Sequence, residues 1–283
     1  MSSKIKVDTI ENIAGSGNVS LGSGHNLVVP GNITGQGTTT LTGDLAVDTT
    51  TLKVDSSNNL VGIGTSSPLS LTGNAAPGLT VSSNGPFILL QDANNANKVR
   101  YISNNTGELQ LGQVNDDGST NKTLHLNVST DGRVTMPSQP SFRAVGNNAN
   151  WVNVTSGNQN IIEFDLSPPH NVGGHYSTAN DRFTAPVAGR YLIGYHCYVR
   201  NNAALSDGTG AYGYIRLMKN GSNISALNNI FGYSNDADSD VHRSLTVVIE
   251  LAANDYMQVG LQGVGGTVQH YGNSSVFYGH LLS

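Results

Sequence analysis

Cysteine, charge and long apolar runs are what this sequence has least of. A single cysteine, Cys197, excludes an intrachain disulfide framework, and its apolar neighbours make it a small buried hydrophobe rather than a reactive thiol. Charged residues are only 12% of the chain, and the net charge of −5 comes with no basic stripe. Binding that works by neutralising phosphates is therefore excluded, and nucleic acid is not an expected partner. No apolar run is long enough to span a bilayer, and MSSKIKVDTI lacks the apolar centre of a cleaved signal peptide. A soluble chain without membrane insertion is expected. No G-x-S-x-G, H-E-x-x-H or P-loop pattern is present, so the common motif-borne chemistries have no foothold.

Gly, Asn, Ser and Thr are plentiful instead, with Val, Ile and Thr spread along the chain. This is the vocabulary of short strands and turns, and no helical periodicity accompanies it. Residues 1–15 carry Ile5, Val7, Ile10 and Ile13 in a mixed-charge segment too short to hold a fold alone, which points to an anchor that docks onto something else. From 16 to 65, short apolar pairs such as Val19/Leu21, Leu27/Val29, Leu45/Val47, Leu52/Val54 and Val61/Ile63 alternate with turn residues. Each offers too little to bury within one chain, and the irregular spacing favours a trimeric β shaft over a single-chain solenoid. Residues 66–137 read as a small middle β domain, an antiparallel meander or small sandwich, with strands at 78–82, 86–91, 99–102, 108–111, 123–128 and 133–136. Pro137 and Pro140 then form a stiff joint.

The largest unit is 141–283, with strands predicted at 141–145, 151–154, 160–164, 182–184, 190–200, 212–219, 223–226, 242–251, 256–262 and 275–282. Together they predict a jelly-roll β-sandwich. The run from Arg182 to Tyr198 is central to it. Tyr191, Ile193, Tyr195, Cys197 and Val199 alternate on one face, and Leu192, Gly194, His196, Tyr198 and Arg200 on the other. Because both faces are largely apolar, the first set is expected inside the sandwich, while Leu192, His196 and Tyr198 face a neighbouring subunit or second layer.

Within 141–283, Asn171, Tyr176, Phe183, Gly189, Tyr191 and Tyr195 fall at the mutual spacings of the complement C1q-like head signature. Ile193 departs from it, standing where that family usually has Phe, and Phe164 lies one residue further from Asn171 than usual. Ser275 to Leu282, with Phe277 and Gly279, resembles the family's last strand. The resemblance implies a jelly roll related to the tumour-necrosis-factor fold, a homotrimer around an axis with Phe183, Phe277 and the 191–198 run in its core and interface, and binding through exposed loops. The first half resembles the stalks of bacteriophage fibres and other virion appendages in KVDTIENIAGSGNVSLG, in Gly43 to Val47 and in Asn58 to Pro68.

Asp236, Asp238 and Asp240 put carboxylates at alternate positions of a polar loop, a spacing that could wrap Ca²⁺. The loop Gly and distal Glu of a full calcium loop are missing, so the plainer reading is a solvated acidic loop with no cofactor. Of the eight histidines, His170 and His175 share a predicted loop, His242 and His270 are scattered, and His196 and His280 on strands read as hydrogen-bonding groups between strands or subunits. Glu163 and Asp165, neighbours on one strand, do not make a glycosidase cleft. Trp151 reads as core packing, with sugar stacking as the alternative.

Together these readings imply a non-enzymatic virion-surface protein. It would be a homotrimeric fibre or capsid decoration protein docked to a capsid or tail protein through residues 1–15, presenting its head to a host glycan or protein. A polysaccharide-degrading tailspike and a cellular secreted C1q-like adhesin or lectin are the alternatives.

Overall fold

The computed structural model describes residues 45–69, 78–92, 99–115, 122–146, 148–155, 157, 159–164, 166–201, 212–231 and 240–283. Two compact units divide the chain, Met1–Ser82 and Ser83–Ser283. In the first, β1 (Leu45–Val47), α1 (Asp48–Thr51, a single turn), β2 (Leu52–Asp55), β3 (Leu60–Ile63) and β4 (Gly78–Val81) build a four-stranded sheet in the order β1-β2-β3-β4. Asp55 Oδ1 accepts from the N–H groups of Ser57 and Asn58, each at 3.1 Å, which folds the β2–β3 turn. The strand predicted at 78–82 as part of the middle domain pairs instead in parallel with β3. Its neighbour is fixed by Gly64 at φ +74°, where a Cβ would collide with the Ser82 carbonyl. The shaft strands predicted at Val19/Leu21, Leu27/Val29, Ile33 and Leu41 lie outside the described residues, as does the 1–15 anchor.

The second unit opens with an antiparallel meander of β5 (Phe87–Leu90), β6 (Val99–Asn105), β7 (Glu108–Val114), β8 (Thr123–Val128) and β9 (Val134–Thr135). Its tight β6–β7 hairpin puts Thr106 at φ 52° and Gly107 at φ 87°, the left-handed pair that matches strand twist. Register aligns Ile88, Ile102, Leu111 and Leu126 in one row across four strands. Ser138 Oγ donates to the Leu124 carbonyl at 2.7 Å, and Gln139 Nε2 to the Leu281 carbonyl at 2.7 Å, so the joint is bonded on both sides.

From Ser141 onward the chain forms a jelly-roll β-sandwich. One sheet runs β13 (Leu166–Val172), β10 (Ser141–Val145), β21 (Val268–Leu281), β16 (Gly189–Asn201), β19 (Val241–Leu251), with β11 (Trp151–Val154) also on β21. The other runs β14 (Tyr176–Ser177), β15 (Arg182–Thr184), β20 (Tyr256–Val264), β17 (Tyr212–Lys219), β18 (Ser222–Phe231), with β12 (Gln159–Ile161) on β20. The strands at 141–145, 151–154, 182–184 and 212–219 stand where periodicity puts them. β13 is an addition to the prediction. Pro168 and Pro169 argue against a strand, but β13 is an edge, where a missing donor costs the ladder nothing. His170, predicted in a loop, therefore sits on a strand.

Alternate residues from the two sheets meet in one core. Tyr191, Ile193, Tyr195, Cys197 and Val199 of β16 are fully buried with Phe164, Phe183, Leu217, Met257, Val259 and Phe277. Phe142 stacks on Phe183 at 4.7 Å and on Tyr176 at 5.2 Å, and meets Phe277 edge-on at 4.9 Å. Between the His196 and Tyr198 pairings the register shifts, a bulge on β21. Ser275 Oγ closes the bulge by accepting from the Tyr198 N–H at 3.2 Å and donating to the Tyr271 carbonyl at 2.8 Å.

Candidate functional site

Strand alternation dictates that a residue beside a buried one points away from the core, so the even-numbered positions of β16 form the outer face of their sheet. Register extends that face sideways. Leu192 pairs with Val248 and His280, Gly194 with Thr246 and Tyr278, His196 with Ser244 and Val276, and Tyr198 with His242 and Tyr271. Leu192, His196 and Tyr198 are half-buried within a single chain, while Val248 is 52% exposed. At Gly194 a side chain would run into the Tyr278 ring. Its absence lets that ring lie across the sheet, with its hydroxyl 2.7 Å from Thr246 Oγ1.

Toward the far end of the strands this face becomes a stack of rings. The His196 and His242 rings lie 4.8 Å apart at 17°, and His242 and Tyr198 lie 4.4 Å apart at 10°. Trp151 follows at 5.0 Å from Tyr198 and 5.4 Å from Tyr271. The Arg200 guanidinium sits 4.0 Å over the Trp151 ring, while its Nε donates to Gln269 Oε1 at 2.6 Å. Trp151 is thus half-buried on the outer face and not part of the sandwich core, because β11 joins β21 with its Trp opposite Tyr271.

Hydrogen bonds brace the stack. Tyr198 Oη donates to Asp240 Oδ2 at 2.5 Å, and this bond holds the phenol above its usual pKa. Arg200 Nη1 stands 3.8 Å from Asp240 Oδ1. His196 Nδ1 lies 2.7 Å from Ser244 Oγ, and His196 Nε2 lies 2.9 Å from His242 Nδ1. Nothing in the sequence spacing pairs residues 196 and 242, since only the antiparallel register of β16 and β19 places them diagonally. His196 does bond between strands, as its strand position predicts.

Asp236 and Asp238 lie outside the described residues, as does Asp165, while the Asp240 carboxylate is engaged by Tyr198 and Arg200. Among the described residues no group of three or more His, Cys, Asp or Glu side chains is arranged to hold a metal ion. His170 Nε2 bonds Ser141 Oγ at 2.7 Å. His270 is buried on β21, its Nδ1 has no hydrogen-bond partner among the described residues, and burial lowers its pKa to about 4. Burial likewise pushes the Cys197 thiol well up, which leaves it protonated and unreactive.

The signature residues have structural work. Asn171 closes a loop by donating from Nδ2 to the Tyr176 carbonyl at 2.9 Å and accepting at Oδ1 from the Tyr176 N–H at 3.0 Å. Tyr176 Oη donates to the Phe164 carbonyl at 3.2 Å, and Tyr191 Oη to that of Val187 at 2.8 Å. A Cβ at Gly189 would press on the Ser283 carbonyl and the Leu281 side chain. A solved globular domain of zebrafish complement 1qA protein is similar at 14% identity, over 51% of this chain and 98% of that one, with a TM-score of 0.35. The family model described as the C1q domain matches residues 148–282, a span that takes in every strand of the sandwich except β10 and every residue of the ring stack.

Proposed function

We propose that the chain is a non-enzymatic adhesion protein that acts as a homotrimer, its C1q-like head (141–283) presented outward and its residues 1–15 docked onto a virion capsid or tail protein. The observation that carries self-association is the uncovered apolar row of the meander. Ile88 and Leu111 are exposed on the same sheet face, Ile102 and Leu126 are half-buried beside them, and no second layer covers the row among the described residues. A sheet face of this kind is a liability in a monomer and an interface in an oligomer. The half-buried Leu192, His196 and Tyr198 face supports the same reading in the head. C1q-type modules commonly trimerise, and the match over residues 148–282 supports a binding rather than a catalytic role.

Function then follows from multivalency, because three modest loop sites on one rigid axis engage a host glycan or protein surface together. Light scattering on the full chain tests the assembly: a mass three times the 29.6 kDa of one chain is expected, and a stable monomer overturns it. Residues 148–282 equally favour a cellular adhesin of C1q type. Particle imaging with a label on the head separates the two. Decoration of a capsid or tail supports the virion role, and its absence leaves the cellular one.

A further inference from the structure

We propose that His196 Nε2 and His242 Nδ1 form a two-nitrogen site for a late first-row divalent cation, Cu²⁺ or Ni²⁺, on the outer face of the β16–β19 ladder. Several features of the pair point the same way.

The spacing is that of neighbouring ligands on one metal. Imidazole nitrogens bind at about 2.0 to 2.1 Å, so two of them at right angles around an ion stand about 2.9 Å apart, whereas tetrahedral ligands stand about 3.4 Å apart. The observed 2.9 Å fits the right-angled case, which tetragonal Cu²⁺ and Ni²⁺ adopt. All-nitrogen donors also disfavour Ca²⁺ and Mg²⁺, which take oxygen.

The tautomers can meet the need. With the His196 proton on Nδ1, donated to Ser244 Oγ at 2.7 Å, the Nε2 lone pair faces His242. When a metal enters, the proton that His242 holds on Nδ1 moves to Nε2, and both facing nitrogens become donors to the ion with no net change in protonation. Ser244 then plays the part usual for the partner of a metal-bound imidazole, fixing the tautomer and ring angle.

Both rings are also held in place while solvent reaches them. His242 is exposed and clamped against Tyr198, itself bonded to Asp240, and His196 is half-buried on a central strand. Water completes the coordination. The site is whole within one chain; only its effect on assembly, where an ion would sit on the face given to neighbouring copies, rests on the trimer reading.

Cu²⁺ added to the full-length protein in calcium-containing buffer, followed by electron paramagnetic resonance and calorimetry, tests this. One Cu²⁺ per chain with coupling to two nitrogens is expected. His196→Ala and His242→Ala should each abolish the two-nitrogen signal, Ser244→Ala should weaken binding about tenfold, and His125→Ala, on the exposed face of β8, should change nothing. Circular dichroism checks that each variant is folded. No saturable binding, a one-nitrogen spectrum, displacement by Ca²⁺, or unchanged binding in folded His242→Ala overturns the site. Light scattering on the same samples keeps the two readings apart: a monomer that binds copper sinks the trimer alone, and a trimer that does not bind it sinks the site alone.

Discussion

The meander of Phe87–Thr135 and the sandwich of residues 141–283 use the same materials, antiparallel strands with apolar residues at alternate positions, and reach opposite outcomes. In the sandwich, two sheets close on each other and bury aromatic side chains completely, with Phe164, Phe183, Tyr191, Tyr195 and Phe277 all at 0% exposure. In the meander, only Val99, Tyr101 and Val114 form a buried cluster, while Phe87 is 58% and Leu90 57% exposed. Alternation alone therefore does not make a core. A second layer does, and the meander lacks one within its described residues. The sandwich supplies its own cover.

The most damaging way to test that contrast is to hollow the sandwich. Phe277→Ala removes a ring in contact with Phe142, Phe164 and Tyr176 and should cost about 3 to 5 kcal/mol. Chemical denaturation followed at Trp151 should report the loss, and a change below about 1 kcal/mol would mean the core is not shared between the sheets as described.

Acid should come next. The His270 pKa falls from 6.5 to about 4 on burial, so between those values the unfolded chain holds a proton that the folded chain does not. Stability from this group is complete above about pH 6.5, declines as the pH is lowered toward 4, and changes no further below it, a total of about 3 kcal/mol. Urea midpoints across this range should show the slope in the native protein and lose it in His270→Gln. A slope that survives the substitution would assign it to other groups.

Smaller effects come from single side chains. Tyr195→Phe deletes the hydroxyl that donates to the Ile215 carbonyl across the sandwich at 3.3 Å and should cost about 1 kcal/mol in the same denaturation measurement. Smallest for one chain is Ile88→Lys on the edge strand of the meander, within about 0.5 kcal/mol by thermal melting. Its effect should appear in assembly, as a fall in the mass measured by light scattering. Unchanged mass would mean that the exposed row is not where copies meet.

Much of the sandwich is legible in its sequence because period-two alternation is a local property. It marks Ser141–Val145, Trp151–Val154 and Tyr212–Lys219 to the residue, and puts Tyr191, Ile193 and Tyr195 on the buried side. The signature spacing is legible for a related reason, since Asn171 and Tyr176 bond across five residues of one loop. β13 is not legible locally, because Pro168 and Pro169 argue against a strand and only its edge position makes them harmless. The parallel partner of β4 is not legible either, because a strand of four residues does not say which edge it will join.

By itself, then, the sequence determined that this is an all-β protein, where most strands of its C-terminal half begin, and which side of the longest of them is buried. Those facts depend on the alternation of neighbouring side chains. The tertiary structure alone decided that Trp151, Tyr198, Tyr271, His196 and His242 share one surface and that β3 and β4 run parallel. Such contacts join residues far apart in the chain, and only strand order and register, which no local pattern encodes, can bring them together.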